Sequence, residues 1–567
     1  IRDPVEMASA ERADQGAVAP GVKVLPRPRD IYLPDRINAL GLALGEVSVR
    51  EGLYAEMAAE LRPSFVVGPL VGGIEPREND AGEAVTSPQD RGERIGTVVE
   101  ATPALVDKAI ARAAAAVNGW DSAGGTHRAE VLEAAAELFE RDRAQLMLVM
   151  VREAGKTLDN AQGELREAVD FLRYYAGEAR RLFTGPTQLK GPTGERNTLT
   201  LRARGPIACI SPWNFPLAIF TGQIAAALAA GNPVLAKSAE QTPITAYLAT
   251  RLLHEAGVPV DVLQLLTGAG GVGAALTRDP RVAGIAFTGS NETAWAIQRT
   301  LADRRSAIVP FIAETGGLNA MIADSSALPE QVVRDAIRSA FDSAGQRCSA
   351  ARFLFLQEDF ADDVIAMLVG ATETLLIGDP YDYATDIGPV IDEAARDHLE
   401  AHKVRMRREA KPLVDIKLPE ACRAGTFVGP AIYEIERIGQ IEREVFGPIL
   451  HVVRFGRGQI DKVCDAINAT GYGLTLGLHS RIEAVAERVA ARARVGNLYV
   501  NRNQIGAVVG VQPFGGEGMS GTGPKAGGPN YVERFSTERV RTTDITATGG
   551  NVQLLGLGPG SGEVESS

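Results

Sequence analysis

A single cysteine in a glycine-containing turn is the residue best suited to covalent chemistry. Cys348 stands within Gly-Gln-Arg-Cys-Ser-Ala at 345–350, after a helical pattern and before an apolar strand pattern. A thiol on such a turn can meet a substrate, and the thiolate is the attacking form. Glu314, between an apolar strand pattern and two glycines, could act as a base. Taken alone, Cys348 is more typical of a buried structural thiol, and Glu314 of a solvated carboxylate.

An asparagine between two prolines is a second candidate for chemistry. Asn214 lies in Pro-Trp-Asn-Phe-Pro at 212–216, directly after an apolar strand pattern. The prolines restrict the backbone on both sides of the amide. An amide held in this way could donate a hydrogen bond to a developing oxyanion. The alternative is an ordinary turn asparagine.

Three strand–loop–helix units point to a nucleotide site. Lys237 and Glu240 follow the first strand pattern, and Gly289 and Ser290 follow the third. Between them, the string Gly-Ala-Gly-Gly-Val-Gly at 268–273 satisfies GxGxxG, but no acidic residue follows about twenty residues later at a strand end. The fingerprint is therefore incomplete. Three such units in succession predict a doubly wound parallel sheet, which binds ligands at the carboxyl ends of its strands.

Three acidic residues recur at helical spacing within the alanine-rich segment that ends near residue 183. Glu164, Glu167 and Asp170 would share one face of a helix. Charged residues at this spacing usually form a solvated face, which is the expectation here.

Composition excludes several classes of protein. A chain of 567 residues is too long for one core, so two or three domains are expected. The net charge of −12 argues against a nucleic-acid binder. Four scattered cysteines and six unclustered histidines predict no disulfide framework and no metal site, and indicate a reducing, cytoplasmic location. No apolar run is long enough for a transmembrane segment, and the first residues lack a signal core.

The two ends of the chain differ in amino-acid composition from its middle. Residues 1–63 are rich in proline, arginine and glycine, which predicts an N-terminal linker or a surface arm with one short helix at 54–61. Residues 554–567 are rich in glycine, serine and glutamate, which predicts a disordered tail.

Six stretches, taken in order, resemble the aldehyde dehydrogenase superfamily over residues 64–545. They lie at 212–216, 237–240, 287–290, 314–317, 345–348 and 444–448. The resemblance implies that Cys348 attacks an aldehyde carbon and that Asn214 and the Cys348 backbone N–H hold the oxyanion. Glu314 would then activate water to hydrolyse the thioester.

The resemblance also implies a domain plan and an oligomer. The expected fold is α/β, with a Rossmann-like NAD-binding domain, a catalytic α/β domain and a β-flap for oligomerisation. The corresponding ranges are 64–184 with 204–313, then 314–505, and 185–203 with 530–548. Flap strands leave an exposed edge that a second chain could cover, so a homodimer is expected.

NAD is the cofactor that the resemblance implies. Lys237 and Glu240 would hold the adenosine ribose, and Glu444 the nicotinamide ribose. A carboxylate at Glu240 should repel the 2′-phosphate of NADP, which predicts a preference for NAD. Gly289 and Ser290 would lie on the pyrophosphate side, and Phe446 would help wall the nicotinamide pocket. The remaining residues assigned to this site are Trp213 and Gly268.

A narrower resemblance, to the L-glutamate γ-semialdehyde (1-pyrroline-5-carboxylate) dehydrogenases, rests on the stretches 347–350, 505–514 and 525–529. It implies oxidation of that semialdehyde to L-glutamate, the second step of proline catabolism. Glu167 would bind the α-ammonium group of the substrate, contrary to the solvated-face expectation. Ser349, Gly506 and Ala507 would bind the α-carboxylate, and Phe215 and Phe514 would enclose the aliphatic stem.

The flanks at 1–5, 34–38 and 546–551 are similar to bifunctional proline utilization A proteins, which carry a proline dehydrogenase barrel upstream. The sequence contains no such barrel, so FAD is not expected in it. Ala351 departs from the leucine expected after Cys-Ser-Ala, a change of packing. Two alternatives remain open, namely a dehydrogenase for another semialdehyde or aliphatic aldehyde, and a non-catalytic scaffold subunit.

Overall fold

The computed structural model describes residues 26–61, 64–76, 82–191 and 195–544, in two compact units that divide after Leu40. The predicted tail at 554–567 and the first 25 residues lie outside this range. In the first unit, a single turn at Pro28–Asp30 is closed by Asn38, whose side-chain amide donates to the Pro28 carbonyl at 2.8 Å. All other elements belong to the second unit.

The second unit contains helices throughout its length. They are α1 (Val47–Ala59), α2 (Pro103–Ser122), α3 (Gly124–Arg141), α4 (Arg143–Ala154), α5 (Leu158–Leu182), α6 (Ala218–Ala229), α7 (Pro243–Glu255), α8 (Gly270–Arg278), α9 (Asn291–Asp303), α10 (Pro329–Phe341), α11 (Glu358–Glu373), α12 (Glu393–Glu409), α13 (Ile460–Asn468), α14 (Glu483–Arg492) and α15 (Tyr531–Arg534). Thr102 caps α2, since its hydroxyl accepts from the Leu105 N–H, as the Thr-Pro sequence predicts. Helix α1 begins seven residues before the predicted one.

The strands alternate with these helices. They are β1 (Phe65–Val67), β2 (Glu83–Ser87), β3 (Asp90–Val98), β4 (Thr187–Leu189), β5 (Glu195–Ala203), β6 (Ile207–Ile210), β7 (Val234–Lys237), β8 (Leu263–Leu265), β9 (Gly284–Thr288), β10 (Phe311–Glu314), β11 (Ala320–Ala323), β12 (Phe353–Gln357), β13 (Lys411–Asp415), β14 (Ala431–Glu434), β15 (Ile449–Phe455), β16 (Tyr472–Gly473), β17 (Thr475–His479), β18 (Asn497–Val500), β19 (Glu517–Gly518) and β20 (Ser536–Asp544).

A five-stranded parallel sheet has the order β10-β9-β6-β7-β8, which confirms the predicted doubly wound architecture. Strands β6, β7 and β8 are buried along their whole length, as expected for a parallel sheet covered by helices on both faces. Because all five strands are parallel, the loops after them meet at one edge. Four candidate residues lie at this edge. Lys237 and Glu314 end β7 and β10, and Asn214 and Ser290 follow β6 and β9.

A second sheet of seven strands has the order β13-β14-β15-β12-β11-β17-β18. Its strands are parallel except for β13, which pairs antiparallel with β14. Strands β12 and β15 are neighbours, so the loops that enter them lie side by side. The turn with Cys348 enters β12 and the loop with Glu444 enters β15, which places both residues at the amino edge of this sheet.

A three-stranded antiparallel sheet with the order β4-β5-β20 extends from the body. Its strands pair from Ser536 opposite Ala203 to Asp544 opposite Glu195. Most of its side chains are exposed or half-buried. Its use as an oligomerisation element stays a prediction. Within the described ranges, no helix is both long and apolar enough to cross a membrane.

The Asn232 side chain links the end of β5 and the start of β20 to helix α6 through hydrogen bonds. Its side-chain oxygen accepts from the N–H groups of Arg204 (2.7 Å) and Gly205 (3.2 Å), just after β5. Its amide nitrogen donates to the carbonyls of Ala227 (3.2 Å) and Phe535 (2.9 Å), the latter just before β20. The side chain is fully buried, so four backbone groups depend on one amide.

Replacing Asn232 by alanine is expected to lower the free energy of unfolding by about 2–4 kcal/mol, since buried backbone groups lose their partners. Urea denaturation followed by tryptophan fluorescence measures the change. Asn197→Ala, at a half-exposed position near the start of β5, is the matched control and should cost about 0.5 kcal/mol or less. Equal effects of the two substitutions would contradict the stabilising role of the Asn232 hydrogen bonds.

Candidate active site

A pocket lies between the carboxyl edge of the five-stranded sheet and the amino edge of the seven-stranded sheet. Both edges contribute to its wall, together with helix α5 and the loop at 505–514. Eight residues assigned from the sequence line it, namely Glu167, Phe215, Glu314, Cys348, Ser349, Gly506, Ala507 and Phe514. The fold therefore brings together residues that are up to 347 positions apart.

The turn before Cys348 has an unusual backbone. Ser343, Ala344 and Gly345 have φ angles of +58°, +53° and +67°, a left-handed conformation that costs energy for the two residues with side chains. After the turn, Asn319 fixes the main chain that follows the thiol, since its amide donates to the carbonyls of Cys348 and Ala350 (3.1 Å). Cys348 is half-buried and lines the pocket.

The sequence did not predict a role for Arg352, although its guanidinium hydrogen-bonds backbone carbonyls of the turn that contains Cys348. Its guanidinium is fully buried and donates to the carbonyls of Gly345 (2.7 Å), Arg347 (3.0 Å) and Gly447 (3.3 Å) and to the carboxylate of Glu444 (3.0 Å). The only signal in the sequence is a cation directly before an apolar strand. A buried cation with a carboxylate partner and three carbonyls is a strong constraint on loop position.

The surroundings of Cys348 favour the neutral thiol. Burial is the largest cause that raises its pKa to about 12. The negative charges of Glu444, Glu314 and Glu167 contribute to the same rise, while Arg347 acts in the opposite direction. The thiol must lose its proton to attack, so this site depends on a neighbouring base or on an added positive charge.

Glu314 ends β10 and reaches the same pocket. Its Oε2 accepts from the Gly516 N–H at 3.1 Å, while its Oε1 is buried. Burial raises the pKa of Glu314 to about 8, and the hydrogen bond from Gly516 and the charge of Lys525 act against that rise. A Cβ atom added at Gly515 or Gly521 would lie 2.9 Å from this carboxylate, so both glycines are needed for the close approach. A carboxyl group with a pKa of about 8 can both accept and return a proton near neutrality.

Asn214 is connected to the cysteine turn from the other sheet. Its buried amide donates to the Gln346 carbonyl at 3.1 Å, two residues before Cys348. Gln346 is fixed in turn, since its side-chain oxygen accepts from the Ile391 N–H at 2.9 Å. The geometry links Asn214 to the turn, and its role toward an oxyanion stays a prediction.

The solvated face expected for Glu164, Glu167 and Asp170 is wrong. Glu164 and Asp170 are buried, because α5 packs against α3 on one side and α6 on the other. The Glu164 carboxylate pairs with Lys156 at 2.8 Å and accepts from the first N–H groups of α6. Glu167 is half-buried at the pocket wall, where burial and the charge of Glu164 raise its pKa to about 7.

Two aromatic residues, Phe215 and Phe514, line the pocket. Phe215 is held between two cations, with Lys156 at 4.6 Å and Arg347 at 5.2 Å from the ring centre. Phe514 is fixed by a pair of backbone hydrogen bonds with Ala526, at 2.9 and 2.8 Å. An apolar chain of a few carbons would fit between such rings.

Ser349, Gly506 and Ala507 line the pocket. Gly506 has a φ of +70°, a conformation that favours glycine, and open space surrounds it. The Ser349 carbonyl is fixed by Thr475 (3.1 Å) and Gln504 (3.3 Å). Consecutive N–H groups beside a hydroxyl suit an anion such as a carboxylate.

The residues assigned to the adenosine end also come together. Lys237 is buried and donates to the half-exposed Glu240 carboxylate at 3.4 Å, and burial lowers its pKa. Helix α8 begins nearby, since a Cβ at Gly273 would lie 3.9 Å from the Lys237 side chain. Open space surrounds Gly270 in the first turn of α8. Ala269, the residue before this helix, provides no side-chain cap. An uncapped helix start beside a cation fits a pyrophosphate.

The other predicted cofactor residues are placed as follows. Gly268, with a φ of +139°, precedes α8. Ser290 caps α9 by accepting from the Thr293 N–H, and the Gly289 N–H already donates to the Glu314 carbonyl at 3.1 Å, so it is not available to a phosphate. Trp213 and Phe446 meet edge to face at 5.6 Å, beside the loop of Glu444.

Comparison with known proteins identifies the relatives of this chain. Residues 75–540 match the aldehyde dehydrogenase family. The bifunctional protein PutA of Klebsiella aerogenes is 47% identical over 548 residues, which are 95% of this chain and 41% of that protein. The 1-pyrroline-5-carboxylate dehydrogenase of Geobacillus sp. (strain WCH70) is 36% identical over 493 residues, 85% of this chain and 93% of the relative. The chain thus spans about two fifths of the PutA relative.

A solved structure supports the same relationship. The structure of 1-pyrroline-5-carboxylate dehydrogenase from Thermus with bound NAD matches this fold with a TM-score of 0.85 at 29% identity. The match covers 92% of this chain and all of that one.

Alkylation by iodoacetamide tests the state of the thiol. Because the pKa of Cys348 is raised to about 12, the rate of its modification should climb about tenfold per pH unit from pH 7 to about 10, without a plateau. Peptide mass spectrometry measures the rate at Cys348, and the buried Cys464 reports unfolding. A plateau below about pH 8 would show a resting thiolate instead.

Proposed function

The chain belongs to the aldehyde dehydrogenase family, and we propose that it oxidises L-glutamate γ-semialdehyde to L-glutamate with NAD as the oxidant. One observation carries the proposal. A single pocket contains the Cys348 thiol and the Glu314 carboxylate, together with the Glu167 carboxylate and the anion-binding groups at Ser349 and Gly506. A semialdehyde that is also an α-amino acid matches this set of groups.

The substrate is a zwitterion, and the pocket offers a partner for each charge. Glu167 attracts the α-ammonium group, which in turn favours the ionised form of a carboxyl whose pKa is about 7. The Ser349 hydroxyl and the N–H groups of Gly506 and Ala507 bind the α-carboxylate without a counter-cation. Phe215 and Phe514 enclose the methylene groups between the two ends.

Covalent chemistry begins when Cys348 loses its proton to solvent and its sulfur attacks the aldehyde carbon. The carbonyl oxygen of the substrate becomes an oxyanion, which the Asn214 amide and the Cys348 N–H stabilise. When bound, NAD would supply the hydride acceptor and a positive charge. Lys237 and Glu240 would hold its adenosine ribose, the start of α8 would bind its pyrophosphate, and Glu444 would hold its nicotinamide ribose.

Hydrolysis completes the cycle. Glu314 accepts a proton from water as the water oxygen attacks the thioester carbon. The carbon–sulfur bond then breaks, and the thiolate leaves. Because the pKa of Cys348 is about 12 and that of Glu314 about 8, the proton on Glu314 passes favourably to the sulfur. Both residues thereby return to their starting states.

The relatives also suggest a wider context. The PutA relatives are bifunctional, and the matched region makes up about two fifths of their length. The proposal therefore includes a proline dehydrogenase domain upstream in a longer protein. The proposal also includes a homodimer formed through the three-stranded sheet. It further includes a reducing, cytoplasmic location. Light scattering at working concentration distinguishes a dimer from a monomer.

Production of NADH from 1-pyrroline-5-carboxylate tests the activity. The chain should reduce NAD with this substrate at a kcat/KM at least about 100-fold above that with propanal or succinate semialdehyde, because neither carries both α-substituents. Cys348→Ala should lose all turnover. Full activity in that variant, or equal use of propanal, would refute the proposal.

Glu314→Gln separates the two halves of the reaction. The variant should release one NADH per site and then stop, with kcat about 10³-fold lower, because it cannot activate water. Stopped-flow absorbance measures both phases. In the unmodified chain, kcat should rise with pH through about 8 as the carboxylate forms, and the variant should lack this rise. A variant without a burst would argue for a role of Glu314 before hydride transfer.

Glu240→Gln tests the preference for NAD. The substitution removes a half-exposed negative charge beside Lys237, so kcat/KM with NADP should rise about fivefold while that with NAD changes little. Steady-state kinetics with both cofactors measure the ratio, and Glu292→Gln, on the exposed face of α9, is the control. An unchanged ratio would mean that Glu240 does not face the 2′-position.

A further inference from the structure

Two buried oxygen atoms at the wall of the pocket have no hydrogen-bond partner within the described part of the chain. They are Oε1 of Glu314 and Oε1 of Gln223, a residue of α6. Both residues line the pocket that contains Cys348. A buried acceptor without a partner is costly, so such atoms mark a place where a ligand or water donates.

Thr288 connects these two residues. It is paired with Glu314 in the register of the parallel strands β9 and β10, so the two side chains leave the sheet on the same face, about 5 Å apart. The Gln223 amide nitrogen donates to the Thr288 hydroxyl at 3.0 Å, which leaves the hydroxyl hydrogen directed elsewhere. This bond also fixes the orientation of the Gln223 amide and so directs its oxygen away from Thr288.

We infer that Gln223 and Thr288, with Glu314, hold the water that hydrolyses the thioester on Cys348. This inference rests on the proposed function and adds two residues to it. The water donates one hydrogen to Glu314 Oε1 and the other to Gln223 Oε1, and its oxygen accepts from the Thr288 hydroxyl. Three partners are typical of a buried water in a polar site.

The arrangement explains how the attack is directed. The hydrogen held by Glu314 is the one removed, and the lone pair that this frees forms the new bond to the thioester carbon. The hydrogen held by Gln223 stays on the oxygen and leaves with the carboxylic acid product, which then ionises in solvent. The carbon–sulfur bond breaks, the electron pair stays on sulfur, and the proton on Glu314 restores the thiol.

Tyr531 closes the same part of the pocket. It lines the pocket, is buried, and stacks on Tyr175 with the ring centres 5.9 Å apart. Burial and the nearby charge of Glu314 raise its pKa, so the phenol remains protonated beside the carboxylate.

The test compares isosteric variants that remove one partner each. Gln223→Met and Thr288→Val should keep the NADH burst of one per site with 1-pyrroline-5-carboxylate, while kcat falls about 10- to 100-fold. Acid-quenched protein should then carry the acyl group on Cys348, detected by intact mass and peptide mapping. Thr221→Val, which removes another buried hydroxyl from α6 outside the pocket, is the matched control and should retain normal kcat.

A chase with hydroxylamine separates water delivery from general damage. After one burst, hydroxylamine should discharge the acyl enzyme of either variant at a rate close to that of the unmodified chain, because this nucleophile does not depend on the water site. A normal kcat in both variants, a lost burst, or an acyl enzyme that resists hydroxylamine would overturn the inference. If the unmodified chain itself made no NADH, the proposed function would fail instead.

Discussion

One buried guanidinium holds the reactive turn in place. Arg352 donates to three backbone carbonyls and to Glu444, and it is fully shielded from solvent. The turn that it holds contains two residues in left-handed conformations, which would relax without such a constraint. Loss of a buried charged partner is costly, typically about 3–5 kcal/mol, so Arg352 and Glu444 stabilise one arrangement of the turn. The position of Cys348 depends on that arrangement.

The site exists because two sheets present opposite edges to one pocket. Glu314 ends a strand of the five-stranded sheet, whereas Cys348 precedes a strand of the seven-stranded sheet. Asn214 joins the two through its bond to Gln346. Each edge is defined by buried parallel strands that cannot slip in register, so the distance between thiol and carboxylate is fixed by the cores of both sheets.

Buried carboxyl groups give the pocket its electrostatic character. Glu167 and Glu314 have pKa values raised to about 7 and about 8, and burial raises the pKa of Glu444 as well. Their charges also raise the pKa of Cys348. The same burial gives Glu314 a proton affinity suited to general base chemistry near neutral pH.

The sequence alone determined the strand–loop–helix order, the turn around Cys348 and the family, because glycines, prolines and apolar runs act locally. It predicted a solvated face for Glu164, which is wrong, and it gave no reason to select Arg352 or Gln223. These three side chains depend on what packs against them from distant segments. Burial, hydrogen-bond partners and pKa are properties of the assembled sheets and helices, and no local pattern contains them.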